Sequence, residues 1–116
     1  MFNGSMADKK AFHSKWKKNL KILAKKMNLN DADYEVRSQL GGPAVLGEVI
    51  LHTTWFYVMV GEPLYGGNQN VMYRTCKSMK DYSGGRNQWC TDDELMYGNA
   101  QYDLLKMIEE QPIKVD

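Results

Sequence analysis

Between Asp8 and Met27 the apolar residues Phe12, Trp16, Leu20, Leu23, Ala24 and Met27 follow one another at intervals of four, four, three, one and three. This is the period of an α-helix with a single apolar stripe, and it predicts one helix over that span. Asp8 suits its positive N-terminal end and Lys25 and Lys26 its last turn, with a stop expected near Asn28-Leu29-Asn30. The pattern then changes. From Tyr34 to Leu40 apolar and polar residues alternate, as in a half-buried strand, until Gly41-Gly42-Pro43 ends the run. Residues Glu48 to Val60 are rich in β-branched and aromatic side chains. They divide into strands Glu48–Thr53 and Trp55–Val60 hinged near Thr54, although no Asn-Gly or Asp-Gly marks the turn and a single bent strand is the alternative.

Gly61-Glu62-Pro63 and Gly66-Gly67-Asn68 predict a loop, followed by a strand Val71–Lys77 and a long loop Ser78–Gln88. Thr91 with Glu94 three residues on is a capping box and starts a helix. Gly98-Asn99 interrupts it, so a second piece runs from Ala100 to Glu110, with Leu104, Leu105 and Ile108 toward the core. The order helix, strands, helix has no βαβ alternation. It predicts an α+β fold: an antiparallel sheet of three to four strands with the N-terminal and C-terminal helices both on one face.

A chain of 116 residues suits one core, placed at residues 6–116. Residues 1–5 read as an appended tail, because Gly4-Ser5 precedes a natural-looking start at Met6. No apolar run reaches the roughly 20 residues of a membrane span. The expected location is cytoplasmic, with Cys76 and Cys90 as reduced thiols. Net charge is only +1, yet residues 1–30 hold eight lysines against Asp8, a net of +7, and the remainder holds seven basic and thirteen acidic residues, a net of −6. Clustered charge of one sign concerns partners, not fold.

The segment Arg74 to Trp89 is the richest in candidate chemistry. It gathers Arg74, Lys77, Lys80 and Arg86 with Tyr82, Gly84, Gly85, Asn87 and Trp89. Glycines let backbone approach a ligand or turn N–H groups on an anion, cations attract phosphate, and aromatic rings stack on bases. The competing reading is structural: Gly84-Gly85 turns the chain between strands, Trp89 is buried and the cations are solvated. The lysines of the first helix suit attraction to a phosphate backbone, or else form a solvated face complemented by the acidic C-terminal helix. Asp92-Asp93-Glu94 at a helix start repels phosphate.

Enzymatic motifs are lacking. No nucleophile elbow surrounds Ser78, Ser83, Cys76 or Cys90, and the carboxylates are scattered. An enzymatic reading would use Asp81 or Tyr82 for proton transfer and Arg86 as anion clamp. His13, expected to be exposed, and His52, expected to pack on a strand, share no metal-ligand spacing with the cysteines. Neither metal nor cofactor is expected. Of the triplet Trp55-Phe56-Tyr57, one residue must point away from the face the others bury. The expectation is a non-enzymatic binding module for an anionic ligand, nucleic acid or another phosphate-bearing molecule, contacted by Arg74, Lys77, Lys80, Tyr82, Gly84, Gly85, Arg86, Asn87 and Trp89. The alternative is a protein-interaction module, an inhibitor, adaptor or homo-oligomer subunit, using charged helices and exposed aromatics.

Overall fold

The computed structural model describes residues 4–42, 44–63 and 67–111. Helix α1 spans Met6–Lys26. Ser5 is its N-cap: the Ser5 hydroxyl accepts from the Asp8 amide at 3.1 Å and Asp8 Oδ2 accepts from the Ser5 amide at 3.0 Å. A residue assigned to the tail thus starts the helix. Asn28 in the left-handed conformation (φ +61°) leads the chain out, where a stop was expected.

Five strands follow: β1 Tyr34–Gln39, β2 Glu48–Thr53, β3 Phe56–Val60, β4 Val71–Thr75 and β5 Gln88–Cys90. They form one antiparallel sheet in sequence order. The expected count of three to four strands is corrected by β5, three residues in what reads as the end of a loop; Gln88, Trp89 and Cys90 are too few for alternation to stand out. The turn between β2 and β3 lacks glycine because Thr53 closes it. Its buried hydroxyl accepts from the amides of Trp55 (3.1 Å) and Phe56 (2.9 Å). Two strands, not one bent strand, are the result.

Helices α2, Asp92–Tyr97, and α3, Asn99–Glu110, complete the fold. The Thr91–Glu94 capping box is present and the break falls at Gly98. Trp16, Leu20, Leu23 and Ala24 of α1 share a core with Leu95, Ala100 and Leu104 of α2 and α3. That core rests on Val36, Val49, Leu51, Val58, Val60, Val71, Tyr73 and Cys90 of the sheet. Both helical segments therefore cover one face, called inner here. Leu105 is a correction: it is 36% exposed and leaves the core contact to Leu104 and the half-buried Ile108. Among the described residues no helix is long and apolar enough to cross a membrane.

The register puts two rows of side chains across the outer face. Arg37, Ile50, Met59, Met72 and Trp89 make one; Glu35, His52, Tyr57 and Arg74 make the next. Without a helix above it, this face still buries Ile50, Tyr57, Met72 and Cys76 as a second cluster. What roofs it is the segment proposed from sequence as a ligand site.

Candidate functional site

Residues 77–87 fold back over the outer face and are pinned there by β2 and β4. His52 Nε2 donates to the Ser78 carbonyl at 2.8 Å, which fixes the proton on that nitrogen. Ser78 and Asp81 exchange backbone hydrogen bonds of 3.2 Å, and the Lys77 amide donates to the Ser83 carbonyl at 3.0 Å. Asp81 Oδ1 accepts from the Ser83 amide (3.0 Å) and hydroxyl (2.6 Å), which hold its carboxyl below the usual carboxylate range. One fixed negative charge therefore sits among the cations of the loop.

Arg74 is the second pin. Its Nε donates to the Tyr82 carbonyl at 3.1 Å and its Nη1 to Asn87 Oδ1 at 2.9 Å. The guanidinium lies 5.4 Å from the ring centre of Tyr57 and 5.1 Å from that of Tyr82, and both rings attract it through their π faces. Tyr57, the outward member of the aromatic triplet, is 7% exposed beneath this cover. Tyr82 is 57% exposed. Gly84 and Gly85 both have positive φ (+100° and +71°), and a Cβ on Gly85 would lie 2.2 Å from Thr75 Oγ1. These glycines make the turn and let the loop approach β4.

The nine residues singled out from sequence thus take different positions. Arg74, Gly85 and the Asn87 oxygen hold the loop to the sheet, and Trp89 lies half-buried on the outer face beside Met72. Lys77, Lys80 and Arg86 are exposed, and among the described residues none has a carboxylate within ion-pair distance. Lys77, Lys80 and Arg86 belong to the same loop as Tyr82, and Gly84 packs near the Lys77 stem.

The lysines of α1 stand on the other side of the sheet. The helix packs on the inner face, so its polar side is separated from the loop by the helix itself, about 10 Å across, and by the sheet. That exceeds a Debye length of about 8 Å at physiological ionic strength. None of these lysines pairs with a carboxylate among the described residues, so the acidic helices do not neutralise them. Lys9 and His13 differ from the rest. His13, expected to be exposed, is 5% exposed: Nε2 donates to the Leu46 carbonyl at 2.7 Å and Nδ1 meets Ser38 Oγ at 3.0 Å. Lys9 Nζ donates to the Gly42 carbonyl at 3.0 Å. Both tie α1 to the β1–β2 loop, which a helical periodicity cannot announce because a polar residue on an apolar edge looks solvated.

Cys76 belongs to the outer cluster and Cys90 to the inner core, and no disulfide joins them. Burial, then Glu94 and Asp92, pushes the Cys90 thiol up to about 12. Among the described residues no group of three or more His, Cys, Asp or Glu is placed to hold a metal ion. Comparison with protein-family models, with curated proteins and with solved structures finds no match to this chain.

Proposed function

We propose that the chain is a non-enzymatic binding module for a phosphate-bearing anion, single-stranded nucleic acid being the class that suits the loop best. One observation carries this reading: Tyr82 is presented to solvent with Arg74 held against its ring, in a loop whose Lys77, Lys80 and Arg86 are exposed and, among the described residues, have no carboxylate within ion-pair distance. An exposed ring offers a base a stacking surface, and unpaired cations beside it offer phosphates a neutralising contact. The pins beneath the loop mean that little ordering remains to be done on binding. The lysines of α1 add weak attraction at low salt only.

Fluorescence anisotropy with a labelled single-stranded pyrimidine oligonucleotide tests it. With three cations engaged, log affinity falls with log salt at a slope of about −2, and Lys80→Ala with Arg86→Ala brings the slope to about −0.7. No binding at low salt, or equal affinity of parent and double variant, rejects the reading.

The second reading, a protein-interaction module, is favoured by Tyr97 (81% exposed), Tyr102 (60%) and Leu105 on the C-terminal helices. Exposed aromatic side chains of this kind anchor protein interfaces. For self-association, light scattering on the separated protein decides: a dimer that dissociates when Tyr97 and Tyr102 become serine supports it, and a monomer at all concentrations rejects that form.

A further inference from the structure

Strand β1 is one edge of the sheet: it pairs with β2 and, among the described residues, with no strand on its other side. The register settles which of its backbone groups face that open side. At its start the Thr54 amide donates to the Asp33 carbonyl at 3.0 Å, and the pairing then runs from Tyr34–Thr53 to Gln39–Glu48 without a bulge. In an antiparallel ladder, successive residues alternate between bonding to the neighbouring strand and turning away from it. Glu35, Arg37 and Gln39 therefore bond to β2, while Tyr34, Val36 and Ser38 turn their amides and carbonyls outward. The bonds from the Gly61 amide to Asn70 and from the Cys76 amide to Trp55, counted back across β3 and β2, give the same alternation. Among the described residues none of the outward groups has a hydrogen-bond partner.

Sheet edges are commonly guarded by proline, lysine, a bulge or short length. The six residues of β1, Tyr-Glu-Val-Arg-Ser-Gln, contain no proline and no lysine. The opposite edge is different, since β5 has three residues and Trp89 alone turns its amide and carbonyl outward. An open edge can accept a further strand, and charge order selects which. Glu35 and Arg37 flank Val36 on the outer face, and within one chain they approach only to 3.9 Å. Let a second β1 run antiparallel with Val36 opposite Val36. Val36 then exchanges both its backbone bonds with its counterpart, and Tyr34 does so with Ser38 of the other copy. Glu35 of each copy stands opposite Arg37 of the other, at the closely spaced positions where opposite charges attract best. The neighbouring registers that keep the backbone bonds set Glu35 against Glu35, or Arg37 against Arg37. On the inner face the half-buried Val36, already packed on the core, meets its own copy. The edge is thus complementary to itself.

We propose that β1 pairs with β1 of a second copy, antiparallel and centred on Val36, so that the two sheets continue as one. The contact is isologous, so it closes as a dimer and leaves no β1 edge for a third chain. Its two-fold axis runs perpendicular to the sheet, and the interface does not depend on what the loop over the outer face binds.

Sedimentation velocity over a concentration series tests the pairing with two charge reversals. Glu35→Arg and Arg37→Glu are each expected to dimerise at least about tenfold more weakly than the parent, because like charges then face one another. An equimolar mixture of the two variants regains the parent affinity, since every facing pair is again of opposite sign. Hydrogen exchange on the parent gives a readout free of any variant. As concentration rises, the amides of Tyr34, Val36 and Ser38 gain protection, while those of Glu35 and Arg37, already bonded to β2, keep theirs. A monomer at every concentration, a dimer that neither reversal weakens, a mixture no tighter than its components, or a dimer lost only with Tyr97→Ser and Tyr102→Ser overturns the proposal. Should a reversed chain unfold, exchange alone decides, and unchanged protection at Val36 across the series overturns it.

Discussion

Arg74 holds Tyr82 in two ways at once, donating to its carbonyl at 3.1 Å and lying 5.1 Å from its ring centre. A residue that reads from sequence as a ligand contact is therefore the support of the residue that would make the contact. Arg74→Met keeps the apolar stem and removes both donors and the charge. It is expected to cost about 1–2 kcal/mol, since hydrogen bonds from charged groups contribute more than neutral ones but this one is half-exposed. The local signature is faster hydrogen exchange at the amides of Lys77, Ser78 and Asp81, with Val58 unchanged. Equal protection in parent and variant would mean that the loop stands without its pin.

His52 gives a pH dependence whose sign is fixed by burial. The side chain is 2% exposed, and desolvation lowers its pKa from the ordinary 6.5, partly opposed by the hydrogen bond to Ser78. The unfolded chain takes up a proton near pH 6.5 and the folded chain only at lower pH. The stability is therefore complete above 6.5 and is lost as pH falls from 6.5 through the folded value. Urea unfolding between about pH 5 and 8 measures this. In His52→Gln, which keeps an N–H for the Ser78 carbonyl, the slope below pH 6.5 is smaller than in the parent; identical slopes contradict the assignment.

Neighbouring leucines of α3 separate core from surface. Leu104 is fully buried and Leu105 is 36% exposed. Leu104→Ala is expected to cost about 2–5 kcal/mol and Leu105→Ala less than about 1 kcal/mol. Thermal or chemical unfolding of the pair checks this, and similar losses for both would count against the placement of the helix.

Gly47 is a sharper backbone test than Gly85, because its obstacle is main chain. Its φ is +79°, and an added Cβ would lie 2.2 Å from the Gln39 carbonyl oxygen. Gly47→Ala should lose at least about 1–3 kcal/mol. Gly42→Ala, where nothing lies within 4 Å, should change stability by less than about 0.5 kcal/mol. Denaturant midpoints compare the two.

Elements long enough to show their period were legible in the sequence. The stripe from Phe12 to Met27, the alternation from Tyr34 and the Thr91–Glu94 box each fold as their local chemistry dictates. The fifth strand was not, because Gln88–Cys90 is paired by its place beside β4 and not by any pattern of its own. His13 and Lys9 were misread for a related reason. Their partners are carbonyls of Leu46 and Gly42, about thirty residues away, and backbone acceptors leave no mark in a sequence. The loop was visible as chemistry, through its cations, glycines and tyrosine, but not as geometry. Nothing in the residue types says that Arg74 turns inward onto Tyr57 and Tyr82 while Arg86 stays in water.

The two thiols sit on opposite sides of one wall. Cys76 lies under the pinned loop and Cys90 behind the helices, so an intramolecular bridge cannot form while the sheet exists. Each sulfur instead becomes a stopwatch for a different event. An alkylating reagent reaches Cys76 whenever the loop lifts, and reaches Cys90 only when the helical layer parts. The gap between the two labelling times, read by mass spectrometry on the native protein, measures how independently the loop-covered surface breathes from the body that carries it.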